Sequence, residues 1–137
     1  MSMSDLNQFL HSSMPLAATL GIRARDAGPE GVLLELDWAP ELCTAEGILH
    51  GGVIMSLADT AGATCAYLAL PEGAAGTSTI ESKTNFLAAV RSGTVLARAS
   101  ILHRGRSTIV VETDCSVGHG DLVAKTLQTQ SVLWPRD

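Results

Sequence analysis

The stretch HGGVIMSLADTAGATCAYLAL, residues 50–70, decides how the rest of the chain must fold. From Val53 to Leu70 it runs 18 residues with a single charge, Asp59, and Pro71, Gly73 and Gly76 close it. Such length and apolarity suit either a membrane span or a helix buried inside a globular protein. An aspartate near the centre, the interruptions Ser56, Thr60, Gly62 and Thr64, and the lack of flanking Lys, Arg or Trp anchors count against a span. The better reading is a buried helix that starts at about Gly51.

Downstream of this helix the apolar period changes to two. Residues 77–87 carry Ile80, Thr84 and Phe86. Residues 94–103 set Val95, Ala97, Ala99 and Ile101 against Leu96, Arg98, Ser100 and Leu102. Residues 108–117 set Ile109, Val111, Thr113 and Cys115 against Val110, Glu112, Asp114 and Ser116. Gly118-His119-Gly120-Asp121 turns the chain, and residues 122–133 return. Upstream, residues 31–38 alternate Val32, Leu34, Leu36 and Trp38 against Leu33, Glu35 and Asp37; Pro40 stops that strand and a loop runs to His50. Within about residues 4–20, short helices are predicted over 5–10 and 15–20, the second ended by Gly21.

One strand, a long buried helix and four strands with short connections predict an α+β fold. A five-stranded, mostly antiparallel sheet would carry the central helix on one face. A doubly wound parallel sheet is disfavoured, because no helices separate the later strands. At 137 residues the chain fits one domain, 1–137. Its hydrophobic share of 46% comes from few aromatics (4%), so Ala, Val and Leu dominate, and mean hydropathy is +0.24. A small, apolar domain of this kind is expected to bury surface in a homo-oligomer.

The net charge of −5 argues against a nucleic-acid binder. Cys43, Cys65 and Cys115 are odd in number, far apart and outside any CxxC pattern, which implies reduced thiols in a cytoplasmic protein. Cys65, inside the apolar helix, reads as core. The polar start MSMSDLNQFLHSS is unlike a signal peptide. No metal is expected, because His11, His50, His103 and His119 lack short-range ligand spacing, and no Gly-x-Ser-x-Gly elbow is present.

The residues with chemistry begin at the helix start. Gly51 and Gly52 leave backbone N–H groups unscreened at the positive end of the helix dipole, where an oxyanion or a polarised carbonyl could sit. The same glycines could instead permit a tight turn or a close strand contact. Asp59, the sole charge of the helix, must be paired, hydrogen-bonded (to Thr60 or backbone, for example) or placed at an opening. Asp59 lies roughly 10 Å along the helix from Gly52, too far for one carbonyl to touch both in one copy. If both act on one substrate, each must come from a different protomer across a twofold interface. His103-Arg104-Gly105-Arg106-Ser107 suits phosphate groups, or is simply a solvated turn between strands.

The segments GILHGGVIMSLADTAGA (47–63), TIESKTNFLAAVRSG (79–93), RASILHRGRSTIVVETD (98–114) and GDLVAKTLQTQSVL (120–133) together resemble hotdog-fold acyl-CoA thioesterases. The resemblance is to the phenylacetic-acid-degradation and 4-hydroxybenzoyl-CoA thioesterase type, and it covers about residues 30–133. It implies a five-stranded sheet wrapped around the helix, a homodimer with a continuous sheet, and often a dimer of dimers. It also implies that Asp59 is nucleophile or general base, that the Gly52 N–H polarises the thioester carbonyl, and that His50 sets the loop. Thr79 would orient water or the acid, and Arg104, Gly105, Arg106 and Ser107 would contact coenzyme A. Coenzyme A is then part of the substrate, and no cofactor, nucleic acid or membrane partner is implied. Many relatives carry Asn six residues before the histidine; here that auxiliary position is Thr44, whose hydroxyl lacks the two-sided contact of an amide.

The implied activity is hydrolysis of an acyl-CoA to free acid and CoA. Two other readings stay open. A hotdog enoyl-CoA hydratase or dehydratase would act without releasing CoA, and a non-catalytic acyl-CoA-binding protein would bind without turnover.

Overall fold

The computed structural model describes residues 2–28 and 30–137. Helix α1 (Met3–Ser13) is capped by Ser2, whose hydroxyl accepts from the Asp5 N–H at 3.1 Å while the Asp5 carboxylate accepts from the Ser2 N–H at 3.2 Å. This reciprocal capping box fixes the helix start two residues before the predicted one. Helix α2 (Pro15–Leu20) opens on proline and ends at Gly21, which adopts φ 74°. That left-handed conformation carries no Cβ penalty in glycine.

The strands are β1 (Arg23–Gly28), β2 (Gly31–Asp37), β3 (Gly76–Phe86), β4 (Thr94–Arg104), β5 (Thr108–Val117) and β6 (Asp121–Leu133), with helix α3 (Gly51–Leu68) between β2 and β3. They form one sheet in the order β1-β2-β4-β5-β6-β3, every neighbouring pair antiparallel. This is the expected hotdog arrangement with one correction: the sheet has six strands rather than five. The added strand is β1, and it shows no apolar alternation because only Ala24 on it is buried. Polar contacts recruit it instead. Arg23 and Arg25 each pair with Glu35 at 2.8 Å, and the Asn7 side-chain oxygen accepts from the Ala24 N–H at 2.8 Å, tying α1 to the sheet edge.

Helix α3 buries Ile54, Leu57, Ala58, Ala61, Cys65 and Ala66 in a core shared with Leu34, Leu36, Val95, Ala97, Ile109 and Val111. Each fully buried leucine-sized side chain contributes about 1.5–3 kcal/mol, which is why so apolar a helix sits inside the sheet. No described helix is long and apolar enough to cross a membrane. The three cysteines are free, and burial pushes the Cys65 thiol up to about 11. At 3% exposed Cys65 is core, as its position in the helix implies, and a thiol buried there is disfavoured as thiolate.

Strand β3 lies at the sheet edge opposite β1 and breaks its own period. Its register against β6 shifts between Thr79 and Glu81. Thr79 meets α3 before this bulge, and Phe86 lies over Gly51 after it. Ile80 therefore does not share the face of Thr84 and Phe86. A bulge adds one residue and changes the phase, leaving Ile80 63% exposed.

Candidate active site

The loop before α3 delivers His50 by a ladder of backbone bonds. The Thr44 N–H donates to Ile48 O at 2.8 Å, Leu49 N–H to Val90 O at 2.8 Å, and His50 N–H to Leu42 O at 2.9 Å. His50 is then the cap residue of α3: its Nδ1 accepts from the Gly52 N–H at 2.8 Å. In a neutral ring that leaves the proton on Nε2. The Gly52 N–H is thus occupied within the protomer, whereas the dipole argument treats it as unscreened. Both glycines also make room. A Cβ on Gly51 would lie 3.1 Å from the Phe86 ring, and one on Gly52 would lie 3.0 Å from His50 Nδ1. Close contact, rather than an unusual backbone, explains the pair.

Asp59 is half-buried, with neither Thr60 nor, among the described residues, a cationic group as its partner. The Thr60 hydroxyl donates to Ser56 O instead, at 2.7 Å. The Asp59 partners come from the sheet. Gln128 Nε2 donates to Asp59 Oδ1 at 3.0 Å, the Thr79 hydroxyl donates to the same oxygen at 3.3 Å, and Gln130 Nε2 donates to Thr79 Oγ1 at 2.6 Å. Asp59 Oδ2 receives no hydrogen bond among the described residues. Gly52, Met55, Ser56, Asp59, Thr79 and Ser82 line one open cleft of about 460 Å³. Gly52, Met55, Ser56 and Asp59 fall on one face of the helix at i, i+3, i+4 and i+7 spacing.

Sequence reasoning missed Gln128 and Gln130. They are 0% and 1% exposed and project into the core from β6 between Thr126 and Val132. The available signal was their phase: alternation through Thr126, Gln128, Gln130 and Val132 puts two amides on the face that should be apolar.

The remaining predicted residues lie elsewhere in the protomer. Thr44 lines a different pocket, of about 400 Å³, with Gly51, Ile54 and Phe86. Arg104 Nε donates to Ala69 O at 2.6 Å and its Nη2 donates to Leu70 O at 3.3 Å, which caps the C-terminal end of α3. The Gly105 N–H closes the turn on Thr108 O at 2.8 Å, and Ser107 O accepts from the Val132 N–H at 2.9 Å. The Arg106 guanidinium stacks 4.3 Å from the Trp134 ring centroid. The turn is therefore held by the protomer itself, at the end of α3 remote from His50. Ala61 and Gly62, close to Asp59 in sequence, are buried in the core, and Ala63 instead lines a pocket of about 340 Å³ with Phe9, Met14 and Tyr67. No group of three or more His, Cys, Asp or Glu among the described residues is arranged to hold a metal ion.

Comparison with known proteins gives this geometry a family. Residues 46–124 match the family model described as the thioesterase superfamily. A thioesterase of Haemophilus influenzae, known by crystal structure, is 30% identical and superposes with a TM-score of 0.88, covering 97% of this chain and 91% of its own. A thioesterase of Pseudomonas aeruginosa is 27% identical, with a TM-score of 0.85 and 93% of each chain covered. A candidate esterase of Mycobacterium tuberculosis is 30% identical over 129 residues, 88% of this chain and 92% of its own. On the length matched and the agreement of the folds, the chain belongs to the thioesterase superfamily.

Proposed function

We propose that the protein is an acyl-CoA thioesterase, of the phenylacetic-acid-degradation and 4-hydroxybenzoyl-CoA thioesterase type, with Asp59 as its reacting carboxylate. One observation carries this reading: Asp59 lines a cleft with one oxygen held by two donors and the other without one among the described residues. Asp59 either attacks the thioester carbonyl carbon, expelling the CoA thiolate and leaving an anhydride for water to open, or removes a proton from the water that attacks. Single-turnover hydrolysis in oxygen-labelled water tests the first route, because label enters Asp59 only when water opens an anhydride at the Asp59 carbonyl carbon.

The carbonyl oxygen would accept from the Gly52 N–H in place of His50 Nδ1. Because Gly52 and Asp59 are about 10 Å apart on one helix face, a single carbonyl meets both only across two protomers. An antiparallel pairing of two α3 helices that opposes residue 52 to residue 59 has its twofold axis between residues 55 and 56. Met55 and Ser56 both line the cleft midway. Beside them runs the unpaired edge of β3, where Ile80 and Phe86 are 63% and 50% exposed, with Leu87 just beyond it 56% exposed. An 11-residue edge strand whose outer backbone groups have no partner in the protomer is a surface for pairing, and two such edges would join into a continuous sheet. Pairing of dimers would use the outer sheet face, where Leu102 and Leu127 are exposed. The turn Arg104, Gly105, Arg106 and Ser107 would meet the phosphates of CoA. The reaction needs no cofactor and suits a cytoplasmic protein.

The test is thiol release from short, medium, long, phenylacetyl and hydroxybenzoyl thioesters of CoA, with the parent protein and with Asp59→Asn. Turnover by the parent is expected to fall about a hundredfold or more in the variant while ligand binding persists. A fully active Asp59→Asn would remove the assignment. Tight binding without turnover by the parent would favour an acyl-CoA-binding protein, and Thr44, off the Asp59 cleft, would then need explaining. Hydration of an enoyl-CoA without thiol release would favour the hydratase.

A further inference from the structure

We infer that Gln128 and Gln130 are positioning residues that fix the Asp59 carboxylate, holding Oδ1 toward the sheet so that Oδ2 is the oxygen offered to substrate. The inference rests on Asp59 being the reacting group and adds the two residues that aim it.

Gln128 holds its place at a cost to the fold. Its side chain is fully buried, and its carbonyl oxygen finds no partner among the described residues. A buried acceptor without a donor destabilises the fold, and a methionine of similar size would fill the space without that penalty. The one polar return is the Nε2 bond to Asp59. Gly62 accommodates the amide, since a Cβ there would lie 1.8 Å from Gln128 Oε1. Helix and strand are thus both shaped around a side chain whose only polar partner among the described residues is the carboxylate.

Gln130 acts one bond further out. It stands opposite Thr79 in the β3–β6 register, and its N–H occupies a lone pair of the Thr79 oxygen at 2.6 Å. An amide N–H can only donate, so the Thr79 proton must point elsewhere, and Asp59 Oδ1 is the acceptor in range at 3.3 Å. Two donors from adjacent strands therefore converge on one oxygen. Any orientation of the carboxylate between this one and its equivalent half-turn would lose both bonds, so one oxygen is always held toward the sheet.

The experiment is Gln128→Met, studied on the full chain by thermal unfolding and by thiol release from the best CoA thioester. A positioning role predicts an equal or higher Tm, because the orphaned carbonyl is gone. It also predicts kcat lower by about tenfold to a hundredfold with KM within about twofold, the effect of losing a hydrogen bond to a charged group. In the Asp59→Asn background the same substitution should change residual turnover by less than about twofold, because coupled residues are not additive. An unchanged kcat, or an equal loss in both backgrounds, overturns the inference. So does a kcat loss that merely tracks a fall in Tm. Should Gln128→Met not fold, Thr79→Val at its exposed position must give the same kcat-selective loss. A reading independent of substrate is the carbon resonance of the Asp59 carboxylate. It must move in Gln128→Met, and an unmoved resonance overturns the inference even if no thioester proves to be a substrate. Absence of any parent turnover together with a moved resonance would sink the thioesterase reading alone.

Discussion

Replacing Gly62 by alanine sets two effects against each other inside α3. Alanine is a better helix former than glycine by about 1 kcal/mol, so helix propensity alone predicts stabilisation. The surroundings predict the opposite. The added methyl would lie 1.8 Å from Gln128 Oε1 and 2.5 Å from its Cδ, and Gln128 is too deeply buried to swing into solvent. Forcing a methyl into a filled core costs about 1–3 kcal/mol. If the amide shifts instead, its bond to Asp59 is lost and a buried donor is left unpaired, for about 1–3 kcal/mol more. The net expectation is a loss of roughly 1–5 kcal/mol. At about 3 °C per kcal/mol for a chain of this size, Tm should fall by about 3–15 °C. Calorimetry at one fixed protein concentration reads it, since association would itself shift Tm. Adding Gln128→Val, whose side chain stops short of Gly62, should restore most of the stability without restoring turnover. A Gly62→Ala variant that unfolds about 3 °C higher than the parent would mean that propensity alone acts and that Gln128 is not wedged against the helix.

Two further outcomes follow from the polar contacts. His50→Ala removes the acceptor for the Gly52 N–H and should cost about 1 kcal/mol by denaturant unfolding, whereas His50→Asn, a good cap residue, should keep most of it; equal stability of all three proteins would contradict the capping role. The second outcome is a pH dependence. Burial raises the Glu35 carboxyl, but hydrogen bonds from Arg25 and Arg23 outweigh it and leave the group below its ordinary 4.5; hydrogen bonds from Arg23 and Thr94 hold Asp37 below its ordinary 3.8. Carboxylates lowered in the folded state stabilise it fully above their unfolded values, and that stabilisation is lost as pH falls through the lower folded values. The stability difference between the parent and Arg23→Gln should therefore be constant above about pH 5 and shrink below about pH 4. A difference that persists unchanged to about pH 2 would show that the ion pairs are not its source.

How much of this was legible in the sequence depended on whether a residue's role appears in a period. Helix α3 and strands β4, β5 and β6 were legible because their buried positions recur at helical or two-residue spacing. Strand β1 was not, since arginine side chains and an Asn7 contact from α1 hold it to the edge, and neither leaves an apolar mark. Strand β3 was half legible: its extent was read, but its bulge near Ile80 is a backbone event with no residue type that requires it. Asp59 could be singled out as a lone charge in an apolar helix, and resemblance linked it to Thr79. Contacts that close locally did not show. The histidine of the HGG motif satisfies the very N–H that the glycines seemed to leave free, and Arg104 reads as a phosphate ligand until α3 is seen to end on its guanidinium.

Gln128 and Gln130 show what kind of signal remains to be used. From Ala124 to Val132 on β6 the two-residue period is intact, and it points these amides into the core as firmly as it points Ala124 and Val132 there. Apolar residues at such positions need only pack. An amide there must find partners or destabilise the fold, so each inward glutamine implies a polar group waiting on another element. In this chain α3 contains one charged residue, Asp59, and the helix lies over that face of the sheet. The pairing of an inward glutamine with the lone helix carboxylate could therefore have been inferred before any coordinates. What the sequence could not supply is the division of labour between the two amides. That depends on the bulge in β3, which brings Thr79 opposite Gln130 and leaves Gln128 to reach the carboxylate directly. A polar residue that breaks the core pattern is thus best read together with the charge that breaks the helix pattern, because each exception supplies the partner the other requires.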